Sequence, residues 1–389
     1  FKTIQAGIDY SQNGDSIIVK EGTYEWIAFK GNNVVLGSLF IIDGDTSHIS
    51  RTIISPGSGN NPLGGQNIVK IISGEDSSAV LSGFTIKGNN KSNVGSGILI
   101  DDSSPTLNNL YIYNNYMNAS GGGVYFAGSN STLSQSTIIN NKAEIGGGGI
   151  AIVNTSNVKL NDVLVSNNEA SYESSYIGNG AGIIMSGSGI LSLDNVTIKN
   201  NSTDKGSGGG IYSVGIQLIM KNSDVNNNSA AYGSGGIYIT KGGSNNVKND
   251  TIINTKIRNN YTTESNVGGG GMKYQGAGTD LTPYLDRLLI VNNSSGMGGG
   301  IYIIDCGVDF KITNSTISNN TSTFNRGGGI YNRNGDIKLV NTILWGNEPD
   351  QVYFAQVANS QVASNYKINY SIIESGINGV ITNNNASGD

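Results

Sequence analysis

The residues best suited to chemistry are tyrosines that recur at one position of a repeated phrase. The phrase is two or three glycines, one aliphatic residue and then this position, as in GGGIYS from Gly208 to Ser213. Phenol rings stacked on successive copies of the repeat would form a flat aromatic strip that suits the apolar faces of sugar rings. Our candidate ligand-binding set is Tyr125, Tyr212, Tyr238, Lys273, Tyr302 and Tyr331.

Lys273 is the one cation in this set, and acidic residues stand in the turns that precede the strip. A lysine in apolar surroundings can act as a general base, and carboxylates can hold calcium or act as acids. The candidate acidic edge consists of Glu173, Asp204 and Glu264. These carboxylates lie several repeats apart, so solvated turns remain an alternative interpretation. Tyrosines that only stabilise a sheet are the alternative for the strip.

The strip requires elements that bring equivalent positions of successive repeats into line. A second phrase, aliphatic-x-x-Asn, alternates with the glycine phrase and recurs every 26 to 33 residues between Asn89 and Asn347. Steps of this size predict a repeat array. Its strand content indicates a single right-handed parallel β-helix, an all-β solenoid with about three strands per coil and about twelve coils. Alternation within GGIYIT directs Ile237 and Ile239 into the core and Tyr238 outward.

The same alternation predicts one inward column of aliphatic side chains. Its members include Ile211, Ile237, Ile301 and Ile330. Because these residues hold the core, we expect the outward phenols to contribute little to stability. Glycine runs at the bends allow positive φ and close packing of neighbouring coils. Asparagines at a recurring corner tolerate the left-handed conformation, and their amides can bond along the stack.

The pattern predicts one β-helix domain over residues 1–389, with distinct regions. Residues 1–30 contain a short amphipathic helix and the first strand, which cap the N-terminal end of the core. Irregular first coils follow over 31–83, and regular coils occupy 84–347. We expect irregular C-terminal coils over 348–389, truncated where the chain ends.

Composition argues against several classes of protein. The net charge of −5 does not fit a nucleic-acid partner, and no apolar run approaches the roughly 18 residues of a membrane span. Cys306 is the only cysteine. It cannot form an internal disulfide, and we expect it to be a small buried residue. The chain begins at Phe1 without Met or a signal sequence, which we interpret as a processed or excised segment.

Three stretches resemble known families. The opening FKTIQAGIDYSQNGDSIIVKEGTY resembles the start of pectin-lyase-like right-handed β-helix proteins. The alternation of GGGI with I-x-x-N resembles the repeats of polymorphic outer-membrane adhesins, and NTILWGNEPDQVYF is similar to a segment of large secreted bacterial surface proteins. The resemblance implies a protein that is secreted, extracellular or attached to the cell surface.

Enzymes with this fold supply a direct comparison. The polygalacturonase motifs NTD, GHG and RIK are absent, only Asp101-Asp102 matches their DD pair, and the only histidine is His48, outside the regular coils. The sequence therefore favours a non-catalytic, adhesin-like or glycan-binding stalk that needs no cofactor. Its partner would be a polysaccharide, a cell-surface glycan or another copy of itself. The alternative is a polysaccharide lyase or glycoside hydrolase acting on an acidic polysaccharide, with Lys273 as base and calcium as cofactor.

Overall fold

The computed structural model describes residues 1–57, 66–88, 95–171, 178–242, 248–276, 282–306, 310–355, 365–382 and 387–388. The chain is an all-β parallel β-solenoid of about eleven turns, close to the number expected from the repeat. It divides into two compact units, Phe1–Ser192 (unit 1) and Leu193–Asp389 (unit 2). In the part of the chain that the structure describes, no helix combines the length and the apolar character that a membrane crossing needs.

The regular coils have four strands rather than the expected three. We call them the ladder strand, which carries the tyrosine position, the second strand, the third strand and the fourth strand. The fourth strand consists of residues directly after the coil asparagine, such as Lys142–Ala143, which pair in parallel with Glu169–Ala170 of the following coil. It is short, and no apolar pattern marks it in the sequence.

Among its described residues, unit 1 contains three short helices: Ile4–Tyr10, Phe40–Asp43 and Ser47–Arg51. Its ladder strands are Ile27–Ala28, Val69–Ile71, Ile98–Asp101 and Val124–Ala127. Its second strands are Ser16–Val19, Val35–Ser38, Val80–Ser82, Thr106–Asn108 and Thr132–Ser134. Two long strands span both positions: Ile150–Asn161 and Ile183–Asp194. The third strands are Gly22–Tyr24, Thr52–Ile54, Thr85–Lys87, Tyr111–Tyr113, Thr137–Ile139 and Leu164–Ser166, and the fourth strands are Tyr116–Met117, Lys142–Ala143 and Glu169–Ala170.

Unit 2 repeats this arrangement and adds a 3₁₀ helix at Gly376–Gly379. Its ladder strands are Ile211–Val214, Ile237–Thr240, Met272–Gln275, Ile301–Ile304, Ile330–Arg333, Val352–Ala355 and Val380–Thr382. Its second strands are Gln217–Lys221, Thr251–Ile253, Tyr284–Asp286, Phe310–Thr313, Ile337–Val340, Asn365–Asn369 and Ser387–Gly388. The third strands are Thr197–Lys199, Asp224–Asn226, Lys256–Arg258, Leu289–Val291, Thr316–Ser318, Ile343–Trp345 and Ile372–Ile373. The fourth strands are Ser202–Ser207, Ser229–Tyr232, Tyr261–Thr262, Ser294–Ser295 and Thr321–Ser322.

The core of unit 2 contains the predicted aliphatic column. Four isoleucines in it are fully buried: Ile211, Ile237, Ile301 and Ile330. Ile211 pairs in register with Ile237, and Met272 continues the column from Ile237 to Ile301. Full burial of each such side chain contributes about 1.5–3 kcal/mol, so the repeated column stabilises the stack of coils.

Two adjacent asparagines share the role that the sequence assigns to one. The first has positive φ, 54° at Asn227 and 55° at Asn259, a conformation that asparagine tolerates better than most residues. The second is buried, and its amide bonds along the stack. Asn228 Nδ2 donates to Asn260 Oδ1 at 3.0 Å, and Asn260 Nδ2 donates to Asn293 Oδ1 at 3.0 Å. One asparagine therefore turns the chain, and its neighbour ties successive coils together.

The glycine phrase is required by backbone geometry at Gly208 and Gly209. Gly208 has φ 69°, which a residue with a Cβ adopts only with strain. A Cβ on Gly209 would overlap the backbone carbonyl of Ser229 in the next coil. A side chain at this bend would therefore push neighbouring coils apart.

The N-terminal cap has the predicted helix, Ile4–Tyr10. Thr3 accepts a hydrogen bond from the Ala6 backbone N–H at 3.1 Å, which satisfies one donor of the first turn. Ile4 and Ile8 are buried, as their spacing predicts. Ala6, which the helical pattern also allowed on this side, is exposed.

Candidate functional site

The tyrosine positions of unit 2 form one column on the strand face opposite the buried isoleucines. We call this column the tyrosine face; it comprises Tyr212, Tyr238, Lys273, Tyr302 and Tyr331. Strand register places each member beside the next. The column predicted from alternation is therefore confirmed, whereas its role in binding stays a prediction.

Tyr125 belongs to unit 1, where its column neighbours are Leu99 and Ala151. Its ring is half-buried, and burial raises the pKa of its hydroxyl, with a further contribution from the negative charge of Asp101. Because neither column neighbour is aromatic, Tyr125 does not extend a strip of stacked rings.

Lys273 lies between two rings of the tyrosine face. Its Nζ is 4.6 Å from the centre of the Tyr238 ring and 5.4 Å from that of Tyr302, within the range of a cation–π interaction. Burial, together with the positive charge of Arg333, lowers the pKa of the Lys273 amine to about 8. The amine therefore changes charge near neutral pH, which an exposed lysine does not.

Tyr212 and Tyr238 form the half-buried end of the tyrosine face. Their ring centres are 5.1 Å apart in an edge-to-face contact, the arrangement that aromatic quadrupoles favour. The Tyr238 hydroxyl donates to Gln275 Oε1 at 2.6 Å. Burial raises the pKa of Tyr238 to about 12, so the phenol stays protonated and can act as a donor.

Tyr302 and Tyr331 are not the open aromatic surface that the sequence predicts. They are only 6% and 4% exposed, and they pack with Ile304, Met297 and Tyr353 in a small apolar cluster. The rings of Tyr302 and Tyr331 are 4.8 Å apart and edge-to-face. The alternation rule correctly gives the face of the strand, but neighbouring residues cover these two rings on that face.

Positive groups accompany this buried end. The Arg333 guanidinium lies 3.7 Å from the Asp305 carboxylate, and the positive charges of Arg326 and Arg333 oppose the rise that burial causes in the pKa of Tyr331. Lysine and arginine side chains therefore lie beside the buried rings, and Arg333 is paired with Asp305. Guanidinium and ammonium groups beside flat rings suit a sugar that carries a carboxylate.

The acidic edge is less well supported. Asp204 is exposed on the fourth strand Ser202–Ser207, and Glu264 is exposed shortly after Tyr261–Thr262. Glu173 lies outside the described residues. Within the described ranges, no three His, Cys, Asp or Glu side chains are grouped so that they could hold a metal ion. Calcium binding and a catalytic role for these carboxylates stay predictions.

A buried polar group in unit 2 was missed by the sequence analysis. Lys241 and Asp250, which the sequence places at the ends of a long loop, are both fully buried. Lys241 Nζ lies 2.8 Å from Asp250 Oδ1, and the Tyr274 hydroxyl donates to Asp250 Oδ2 at 2.8 Å. The alternation of side chains along a strand could have predicted the burial of Lys241, because this residue follows the inward Ile239 by two positions.

Comparison with known families agrees with this geometry. Residues 70–252 match the family described as a right handed beta helix region. The match confirms the resemblance to right-handed parallel β-helix proteins that the opening stretch and the repeats indicate.

Individual proteins similar to this chain include a probable autotransporter and two epimerases. The probable autotransporter YfaL of Escherichia coli (strain K12) is 29% identical over 153 residues, which are 36% of this chain and 12% of that protein. The periplasmic alginate epimerase AlgG is 12% identical, with 96% of this chain and 85% of that chain covered and a TM-score of 0.42. The A-module of the mannuronan C-5 epimerase AlgE6 of Azotobacter vinelandii is 11% identical, with 98% and 94% covered and a TM-score of 0.38.

Proposed function

We propose that the chain is a non-catalytic, extracytoplasmic β-helix segment that binds a carboxylate-bearing polysaccharide on the tyrosine face. The observation that supports this proposal is the Lys273 amine held between the rings of Tyr238 and Tyr302. A ring offers a flat apolar surface to a sugar, and the ammonium offers an ion pair to its carboxylate. Similarity to a probable autotransporter supports an adhesin-like role outside the cytoplasm.

The contact surface is smaller than the whole column. Tyr212, Tyr238 and Lys273 are half-buried and present part of their side chains to solvent. Tyr302 and Tyr331 lie within their apolar cluster, and Tyr302 contacts Lys273 from one side. Rigid rings lose little conformational entropy on binding, so a short surface can still contribute to affinity.

A lyase is the second candidate, and the pKa of Lys273 favours it. At about 8, this pKa leaves part of the amine neutral near neutral pH. A neutral amine can abstract the proton beside a uronic acid carboxyl group, as a general base requires. In this alternative the protonated amine is inactive, whereas in the binding proposal it is the form that attracts the ligand.

Measurements across pH distinguish the two candidates with one set of samples. Polygalacturonate and alginate, with a neutral glucan as control, are mixed with the protein, and both binding and unsaturated sugar ends are recorded. The binding proposal expects affinity for the acidic polymers to fall as pH rises through about 8, with no unsaturated ends. Unsaturated ends that increase through the same range would establish the lyase instead.

Two lysine variants test whether the tyrosine face is the site. Lys273→Met should weaken binding of the acidic polymer at least tenfold, which corresponds to about 1.4 kcal/mol. Lys256→Met is the matched control, because Lys256 is exposed on a third strand. Equal binding by both variants and the wild type would show that the ligand binds elsewhere.

A further inference from the structure

The group formed by Lys241, Asp250 and Tyr274 is separate from the tyrosine face and lies inside unit 2. All three side chains are fully buried. Cys306, buried as its sequence predicted, borders the group with its Sγ 3.7 Å from the Tyr274 carbonyl oxygen. Burial raises the pKa of the Cys306 thiol to about 12, so this thiol stays protonated beside the group.

We propose that Lys241 and Asp250 condense to form an intramolecular amide cross-link. The amine and carboxyl groups lie 2.8 Å apart, Nζ to Oδ1, with no exposed surface on either residue. Groups fixed in this way react as if each were present at about 10⁵–10⁸ M, provided the geometry approaches attack distance. The structure thus supplies the proximity that condensation of an amine with a carboxylic acid lacks in water.

The surroundings also favour the protonated carboxylic acid from which an amide forms. An ion pair this deep is costly to desolvate, and transfer of one proton from the ammonium to the carboxylate removes both charges. Burial raises the pKa of the Asp250 carboxyl group, and this shift favours the protonated acid. A neutral amine beside a neutral acid is the pair from which an amide forms.

The reaction is balanced by the groups present. Lys241 Nζ attacks Asp250 Cγ, a C–N bond forms, and one C–O bond of the carboxylic acid breaks. The departing hydroxyl takes one of the two amine protons and leaves as water, while the other proton stays on the amide nitrogen. No oxidant, metal or cofactor takes part.

Neighbouring donors are placed to assist this step. The Leu218 backbone N–H donates to Asp250 Oδ1 at 2.7 Å, where it can stabilise the negative charge that develops during attack. The Tyr274 hydroxyl donates to Oδ2 at 2.8 Å, where it can assist departure of the hydroxyl. Lys241 Nζ already donates to the Ile216 carbonyl oxygen at 2.8 Å, and the remaining amide N–H can keep this bond.

The cross-link would replace a buried charge pair with a neutral amide and close the base of the loop between residues 241 and 250. Only eight residues separate Lys241 from Asp250 in the sequence, so the entropic benefit of joining them is small. The main benefit is that no charge remains in the core. This inference is independent of the proposed polysaccharide binding.

Mass spectrometry of the purified full chain tests the proposal. The unfolded wild type should have a mass lower by one water than its sequence requires. Trypsin does not cleave after an acylated lysine, so the peptide ending at Lys248 should stay joined to the peptide that begins at Asn249. Fragmentation of this branched peptide should locate the bond between Lys241 and Asp250.

Variants separate the cross-link from other losses of water. Lys241→Met should have the full mass that its sequence requires. Tyr274→Phe should lose water more slowly in freshly folded protein. Lys248→Ala, the control at an exposed site, should still lose one water. Full mass in the wild type after prolonged incubation, with cleavage at Lys241, would mean that the pair is only an ion pair. A deficit that persists in Lys241→Met would also overturn the proposal. If that variant does not fold, the tryptic map of the wild type decides alone.

Discussion

Lys273 combines opposing effects at a single residue of the tyrosine face. Burial disfavours its ammonium form, and the charge of Arg333 acts in the same direction. The rings of Tyr238 and Tyr302 attract the cation. The resulting pKa of about 8 indicates that the effect of burial is larger than that of the rings. Lys273 should therefore make the free energy of unfolding depend on pH in a range where most lysines stay protonated in both the folded and the unfolded chain.

Replacing Lys273 with Met should remove this pH dependence. The pKa is about 8 in the folded protein against an ordinary 10.5. Between these values the unfolded chain binds more protons, so the free energy of unfolding of the wild type should rise with pH relative to that of the variant. Urea denaturation from about pH 7 to about pH 10 measures the difference. A difference that stays constant over this range would contradict the proposed environment of Lys273.

Tyr238 and Tyr302 should respond differently to replacement by serine. Tyr238→Ser should weaken polysaccharide binding at least tenfold and lower the free energy of unfolding by about 1 kcal/mol, mainly through the lost ring contact. Tyr302→Ser removes a ring that is only 6% exposed and should cost about 3 kcal/mol of stability. The burial of Tyr302 argues against the expectation that its phenol contributes little to stability. Urea denaturation and binding assays on both variants check this contrast, and similar stability losses would contradict it.

At the scale of the coil, the two adjacent asparagines allow the contribution of the buried amide to stability to be measured, with the neighbouring turn residue as the control. Asn260→Ala removes an acceptor for Asn228 Nδ2 and a donor to Asn293 Oδ1. The buried Asn228 backbone N–H, which donates to Asn260 Oδ1 at 3.0 Å, is left without this acceptor, so the loss should be about 1–3 kcal/mol. Asn259→Gly keeps a residue that tolerates φ 55° and should change stability much less. Urea denaturation compares the two variants, and equal losses would show that the buried amides do not tie the coils together.

The sequence was sufficient for features that repeat and insufficient for those that depend on one coil. The alternation around Ile237 and Tyr238 gave the inward column and the tyrosine face, because both follow from the period of a strand. The burial of Tyr302 could not be predicted, since it depends on Met297 and Ile304, which cover it in one coil only. The fourth strands were missed because most of them have only two residues and carry no periodic signal.

The buried pair was missed for a different reason. Lys241 and Asp250 flank a long polar stretch, and charged residues are almost never fully buried unless paired. A partner nine residues away is not marked by any local pattern. Lys241 lies two positions after the inward Ile239, and Asp250 lies two positions before the inward Ile252. Extending the alternation of each strand by two residues would therefore have predicted two buried charges that need a partner.

At the scale of the whole molecule, a parallel solenoid must protect the strand edges at its ends, since an unpaired edge can pair with another chain. In unit 1, the helix Ile4–Tyr10 covers the buried end, and the side chain of Gln5 replaces a neighbouring strand. Gln5 Nε2 donates to the Ala28 carbonyl oxygen at 3.1 Å, and Gln5 Oε1 accepts from the Ala28 N–H at 2.8 Å. One amide thus satisfies both backbone groups of Ala28 in the first ladder strand.

Gln5→Ala should therefore expose this edge and promote self-association. Both backbone groups of Ala28 lose their partner, which should cost about 1–3 kcal/mol of stability, and a second chain can then pair with the free edge. Analytical ultracentrifugation over a range of concentrations should detect dimers or larger species in the variant. Tyr10→Ser is the control, because Tyr10 is 79% exposed on the same helix and should leave the mass distribution unchanged. If Gln5→Ala remains as monodisperse as the control, the side chain of Gln5 does not protect the edge, and burial of Ile4 and Ile8 by the helix is sufficient.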